Sequence, residues 1–188
     1  MPAGAVRGCV ARQRYCTAHH VPRYFYVDQE RDCVQCGGGF TFSANEQKHW
    51  YETLRFHFDS VAIRCPTCRR RRRTQRALNA QVASAKAALR ERTDDPAQLV
   101  ALAEATARLH GETGRGDLDG AIAAARRAQR LWPEAVEALF WEARCQELAG
   151  RQDRARAEYD SFLQRGPLPR RLQPLRDQAR RAQDVQSG

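Results

Sequence analysis

The spacing of apolar residues along the chain changes near residue 74. Before this point, residues 22–27 are rich in aromatic and β-branched residues, and residues 40–42 alternate between apolar and polar. Both patterns predict short strands. After it, apolar residues recur every three or four positions, which predicts amphipathic helices. The helix over 74–92 shows this spacing at four positions: Leu78, Val82, Ala85 and Leu89. The pattern therefore predicts a small α+β unit, with short strands and one helix, followed by an all-α unit.

A helix and a returning strand are predicted inside the first unit. Ser43 and Glu46 form the sequence pattern of a capping box, so we expect a helix over about 44–55. Apolar residues then fall at four positions before the next cysteine, which predicts a strand: Phe56, Phe58, Val61 and Ile63.

Four cysteines in two CxxC pairs are the strongest chemical signal. The pairs are Cys33 with Cys36 and Cys65 with Cys68, separated by 28 residues. Thiolates in two such pairs can surround one ion as a tetrahedron, which predicts a structural Zn²⁺ site closed by all four. Iron accepts the same ligands and remains an alternative. A redox role for either pair would need a βαβ context, and neither pair has one.

The segment around these cysteines resembles a known family. Its CxxCG…CPxCR pattern, with Phe40, Trp50 and an arginine run, is similar to the probable zinc-ribbon domain family of small, largely bacterial proteins. The resemblance covers about 45 residues. It implies a structural zinc and no particular reaction.

Positive charge is concentrated in the N-terminal part of the chain. The net charge is +10, and residues 1–80 carry 14 Lys and Arg against 6 Asp and Glu. Six arginines lie within eight residues after Cys68: Arg69, Arg70, Arg71, Arg72, Arg73 and Arg76. A phosphate backbone would neutralise them, so sequence-independent nucleic-acid binding is one hypothesis. A solvated helix start is the other.

A 34-residue period organises the C-terminal half. Gly116 and Gly150, and Pro133 and Pro167, are each 34 residues apart. This is the period of the tetratricopeptide repeat, and the chain resembles two such repeats at about 102–135 and 136–169. Within each repeat we expect Asp117 or Asp153 to cap the second helix.

Two repeats need capping helices, because solenoid units cannot bury their apolar faces alone. The helix over 74–92 and a final helix over about 168–182 are candidates for this role. By resemblance, the first helix of the second repeat lines a peptide groove and presents Phe140, Arg144 and Glu147 to it. The alternative is that the two repeats only pack against the zinc domain as a scaffold, since a groove of two repeats is short.

These features predict a domain order and a function. We expect a flexible tail over 1–22, a zinc domain over 23–73, a linking or capping helix over 74–95, and repeats with a C-terminal cap over 96–184. The tail contains Cys9, Cys16, His19 and His20, whose spacing matches no metal-ligand pattern. The predicted function is a non-enzymatic, cytoplasmic zinc-binding adaptor with a protein partner. Nucleic-acid binding is the alternative, and no membrane or small-molecule partner is expected.

Overall fold

The computed structural model describes residues 2–14 and 21–185. It divides into two compact units, Met1–Arg72 and Arg73–Gly188. Cys16, His19 and His20 lie outside the described residues. Among the described residues, no helix is both long enough and apolar enough to cross a membrane.

The first unit contains two small antiparallel ladders. Strand β1 (Val6–Arg7) pairs with β2 (Phe25–Tyr26), so that Val6 lies opposite Tyr26. Strand β3 (Gln29–Asp32) pairs with β4 (Gly39–Phe42). The strands predicted within 22–27 and 40–42 are therefore confirmed. Alternate residues of β4 are buried: the side chains of Phe40 and Phe42 face the core.

The predicted helix is present, with a change of winding. Helix α1 (Ala44–Lys48) continues as a π-helical turn over His49–Thr53. Ser43 Oγ accepts a hydrogen bond from the backbone N of Glu46 at 3.2 Å, as a capping residue does. In a complete capping box the Glu46 carboxylate would also accept from the backbone N of Ser43. Here this carboxylate pairs with Arg69 instead.

A flexible tail is the wrong description for much of residues 2–14. This segment contains β1 and a 3-10 turn at Val10–Arg12. The buried Gln13 side chain donates to the Arg23 carbonyl at 2.8 Å and accepts from the Arg23 backbone N at 3.0 Å. The Cys9 backbone N donates to Glu52 at 2.7 Å. These bonds to distant residues hold the segment in place, and the sequence alone does not show them.

The strand predicted through Phe56, Phe58, Val61 and Ile63 is also absent. Residues 54–65 form no strand, and a turn stands at His57–Ser60, where the Ser60 N donates to the His57 carbonyl at 2.9 Å. The Phe58 carbonyl accepts from the Arg23 guanidinium at 3.1 Å, and the Ser60 carbonyl accepts from the Tyr51 hydroxyl. Side chains therefore satisfy backbone groups that a partner strand would otherwise bind.

The second unit is built from helices. Helix α2 (Pro66–Glu91) begins in the first unit and crosses the boundary between the two. The helices that follow are α3 (Pro96–Thr113), α4 (Leu118–Leu131), α5 (Glu137–Leu148), α6 (Gln152–Leu163) and α7 (Gln173–Val185), with a 3-10 turn at Arg170–Leu172 before α7. Helices α3 to α6 pack as two successive pairs, which agrees with the repeat pattern.

Short-range signals place the helix ends. Asp95 caps α3, accepting from the N of Ala97 at 3.0 Å, and Pro96 occupies the first position. Gly114 ends α3 in the left-handed conformation (φ 65°), which a side chain would strain. Asp117 caps α4 as predicted. Asp153 does not cap α6, because it lies inside that helix.

Small and aromatic side chains form the core of the second unit. Alanines of α3 and α4 allow these helices to approach closely, and the aromatic centre is Phe140, Tyr159 and Phe162. Cys145, which is completely buried, packs in the same core.

Candidate metal centre and binding surfaces

Two local structures position the four cysteines. Cys33 follows β3, and a tight turn after it brings Cys36 back towards it. In this turn the Gly37 N donates to the Cys33 carbonyl at 2.8 Å, and Gly37 has a φ of 72°, where glycine is favoured. The second pair lies at the start of α2, with Cys65 just before the helix and Cys68 in its first turn. The Cys68 N donates to the Cys65 Sγ at 3.4 Å.

The four sulfur atoms converge on one point. They all lie within 4.8 Å of one another, and the Cys36 and Cys65 Sγ atoms are 3.9 Å apart. A tetrahedral zinc ion with Zn–S bonds of about 2.3 Å requires sulfur atoms about 3.8 Å apart. The geometry therefore fits one metal ion bound by the four predicted ligands.

The electrostatics of the thiols also suit a cation. Backbone amides, that of Cys65 above all, donate to the Cys33 sulfur and lower the pKa of its thiol to about 6. Hydrogen bonding with the Cys65 sulfur, together with burial and the other two thiols, raises the pKa of Cys68 to about 12. Four negative thiolates at this spacing would repel one another, so a metal-free cluster keeps protons that a metal ion displaces.

An apolar layer and an arginine surround the metal centre. The cysteines pack with Phe40, Phe42 and Trp50. The Arg69 guanidinium lies 5.5 Å from the centre of the Trp50 ring and pairs with Glu46. Arg69 thus stabilises the first unit and is largely covered, which removes it from the predicted nucleic-acid surface.

The remaining arginines of the run are exposed on α2. They are Arg70, Arg71, Arg72, Arg73 and Arg76. Residues 66–90 contain eight basic side chains and no acidic one. The helix therefore carries a strong positive charge, and the acid it contains, Glu91, is its last residue.

The three residues predicted for the peptide groove line one cavity of about 400 Å³ between α5, α6 and α7. Phe140 is fully buried beneath it, so the expectation that Phe140 is presented to a ligand is wrong. Arg144 pairs with Glu147 at 2.7 Å, and the Tyr159 hydroxyl donates to the same Glu147 oxygen at 2.7 Å. Burial and the hydrogen bond to Glu147 raise the pKa of Tyr159, which keeps this hydroxyl protonated.

A second cavity of about 520 Å³ continues this groove. Arg144 and Gln178 line both cavities, and Arg108, Trp141 and Leu175 line the second. The Arg108 guanidinium lies 5.5 Å from the centre of the Trp141 ring. Gln178 and Arg108 are not among the groove residues that the sequence predicts. The final helix was predicted only as a cap, and Arg108 lies in the first repeat, whereas the groove prediction was restricted to the second.

Comparison with known families assigns both regions. Residues 27–77 match the family model described as Probable treble clef domain, and residues 107–168 match that described as Tetratricopeptide repeat. No curated protein and no solved structure matches the chain. The predicted metal-binding domain with four cysteines is confirmed. The family model that matches it is described as a treble clef, and in this chain the second cysteine pair lies at the start of helix α2. The chain therefore joins a treble clef domain with a four-cysteine metal centre to a region of tetratricopeptide repeats.

Proposed function

We propose that the protein is a non-enzymatic adaptor. In this function a structural zinc ion stabilises the treble clef unit, and the repeat groove binds a peptide segment of a partner protein. The observation that carries the proposal is the continuous groove over α3, α5 and α7, in which Arg144 and Gln178 join two cavities. A groove of this kind accommodates an extended or helical peptide.

The chemistry of the metal centre supports a structural role. Thiolates are ligands that zinc prefers, and four of them fill a tetrahedral shell and leave no position for a water nucleophile. Elemental analysis of the purified protein tests the identity of the metal. One equivalent of zinc is expected, and one equivalent of iron would contradict this part of the proposal.

A photo-crosslinking amino acid at Gln178 tests the groove. Gln178 is exposed and lines both cavities, whereas Arg180, exposed on the same helix, lines neither and is the matched control position. In nuclease-treated lysate, we expect protein adducts from position 178 that are absent from position 180. Adding Arg144→Glu should remove them, because it places a second negative charge beside Glu147. Identical adducts from both positions would contradict groove binding.

Nucleic-acid binding through α2 is a second candidate function. The excess of exposed arginines over residues 70–76 favours it, since guanidinium groups bind phosphates and release counterions. Binding to a labelled duplex should weaken steeply with salt. Changing all four of Arg70, Arg72, Arg73 and Arg76 to Gln should reduce the slope of log affinity against log salt by about 3.6, at about 0.9 for each phosphate contact.

A matched variant makes this test specific. Arg12, Arg115, Arg154 and Arg180 are exposed arginines outside the run, and their change to Gln removes the same charge. This control should lower the slope much less. Equal losses in the two variants would show that only overall charge attracts the duplex, and would remove this candidate.

A further inference from the structure

A cleft outside the groove lies near the C-terminal ends of α4 and α6. Its volume is about 310 Å³, and it shares no lining residue with the two groove cavities. Its lining residues are Arg126, Gln129, Arg130, Pro133, Leu139 and Arg165. Every polar side chain among them can donate hydrogen bonds, and none is a carboxylate.

A buried carboxylate behind the cleft holds two of these donors. Glu142, only 1% exposed, accepts from Arg126 Nε at 2.7 Å and from Gln129 Nε2 at 3.0 Å. Glu158 is close enough to interact electrostatically with both Glu142 and Arg126. The negative charge near the cleft is therefore concentrated around Arg126.

The other two arginines of the cleft have no such acid. Within the part of the chain that the structure describes, neither Arg130 nor Arg165 forms an ion pair, and both are exposed. The lining itself thus has three guanidinium groups and no carboxylate, and Glu142 and Glu158 both interact with Arg126. An oxyanion would meet two arginine side chains free to pair with it.

Two exposed apolar side chains lie in the sequence between the cleft residues Arg130 and Pro133. Arg130 is followed in the chain by Leu131 and Trp132, which are 45% and 51% exposed, and then by Pro133 in the cleft wall. An exposed tryptophan beside arginines is a composition typical of the residues that dominate protein interfaces. A free inorganic anion would make no use of the tryptophan.

We propose that this cleft binds an acidic peptide segment of a partner protein. Carboxylates of the segment pair with Arg130 and Arg165, and an apolar side chain next to them packs on Trp132. This surface is separate from the repeat groove, so the protein has two positions at which partner segments can bind. The proposal does not depend on the groove being occupied.

Fluorescence anisotropy with the labelled peptide EELLEE tests the proposal on the full chain. The double variant Arg130→Glu/Arg165→Glu should weaken binding by about tenfold or more, because it places negative charges against the negative charges of the peptide. Trp132→Ala should weaken it by roughly fivefold or more, because an aromatic contact is lost. The reversed peptide KKLLKK should not bind.

Controls separate this cleft from other basic surfaces. Arg90→Glu/Arg180→Glu has the same net charge as the cleft variant, changes exposed side chains, and should retain affinity within about twofold. Circular dichroism should show that all variants keep their helices. Equal loss in the control variant, full binding in the cleft variant, or no binding of EELLEE at about 1 mM would overturn the proposal.

Competition with inorganic phosphate tests the ligand class. At matched ionic strength, phosphate should displace the peptide only weakly, because it cannot contact Trp132. Complete displacement by phosphate, together with wild-type affinity of the Trp132→Ala variant, would identify a small-anion site and overturn the peptide assignment.

Discussion

Helices α4 and α6 occupy equivalent places in the two repeats but begin differently. Asp117 caps α4, and its Oδ1 accepts from the Gly120 N at 2.9 Å. The residue 34 positions later is Arg151, which provides no capping acceptor and instead binds Asp119 at 2.7 Å. The 34-residue period therefore aligns Asp153 with Asp119 rather than with the cap.

This difference predicts unequal costs for two similar substitutions. Asp117→Ala leaves a helix amide without its acceptor and should lower the free energy of unfolding by about 1 kcal/mol. Asp153→Ala loses only a favourable charge near the helix N-terminus, worth about 0.3 kcal/mol. Urea denaturation followed by circular dichroism measures both. Equal losses would contradict the assignment of Asp117 as the cap.

Glu158 provides a prediction of pH dependence. Burial, and then the nearby Glu142, raise the pKa of its carboxyl, although Arg126 acts in the opposite direction. The native state therefore binds this proton more tightly than the unfolded state, and stability is lost as pH rises through the window between the two pKa values. Glu158→Gln should stabilise the protein at about pH 7, and this gain should shrink towards about pH 4. An equal gain at both pH values would contradict the prediction.

The sequence predicts the roles of some residues and not of others. The metal ligands are predictable because each CxxC pair is local and thiolate chemistry is specific. The burial of Arg69 cannot be predicted in this way. Its partner Glu46 is 23 residues away in the sequence, so the ion pair between them depends on the folding of the first unit. The burial of Phe140 under Tyr159 and Phe162 is likewise a product of packing.

At the scale of elements, helices were predicted well and irregular segments were not. Caps are short-range signals that locate the starts of α1, α3 and α4, and the 34-residue period indicates the helices of the two repeats. The two-residue strand β1 is too short to show a period. Residues 56–63 have strand-like composition, yet their backbone groups bind side chains of Arg23 and Tyr51 rather than a neighbouring strand.

Arg23 should therefore be a structural residue of the first unit. Its guanidinium lies 4.5 Å from the ring centre of Tyr51 and 4.7 Å from that of Phe58, and donates to the Phe58 carbonyl. Arg23→Ala should destabilise this unit by about 2 kcal/mol through the loss of these contacts. Transfer of the bound metal ion to a chelator should accelerate accordingly.

A matched arginine provides the control for that measurement. Arg14→Ala removes an exposed arginine of the same unit and should leave the rate of metal transfer unchanged. Equal acceleration in both variants would show that charge, and not the position of Arg23, controls metal retention.

At the scale of the whole molecule, the two units depend on different interactions. The treble clef unit has small apolar clusters around its cysteines and tyrosines, whereas the helical unit has an extensive core of alanine and aromatic side chains and a second, smaller cluster around Leu99. Structural zinc contributes on the order of 10 kcal/mol to domains of this kind, which is comparable with the whole stability of a small domain. The first unit should therefore unfold without metal, and the second should not.

Chelation and Cys36→Ser test this division in the full chain. Cys36 is an exposed ligand, so serine removes a metal bond with little effect on packing. Hydrogen exchange read by mass spectrometry should show lost protection in β3 and β4 after either change, while α3 to α6 keep theirs. Because α2 begins at the second cysteine pair, its first turn should lose protection with the strands. Loss of protection throughout α3 to α6 would contradict independent stability of the helical unit, and unchanged protection in β3 and β4 would contradict a structural role for the metal.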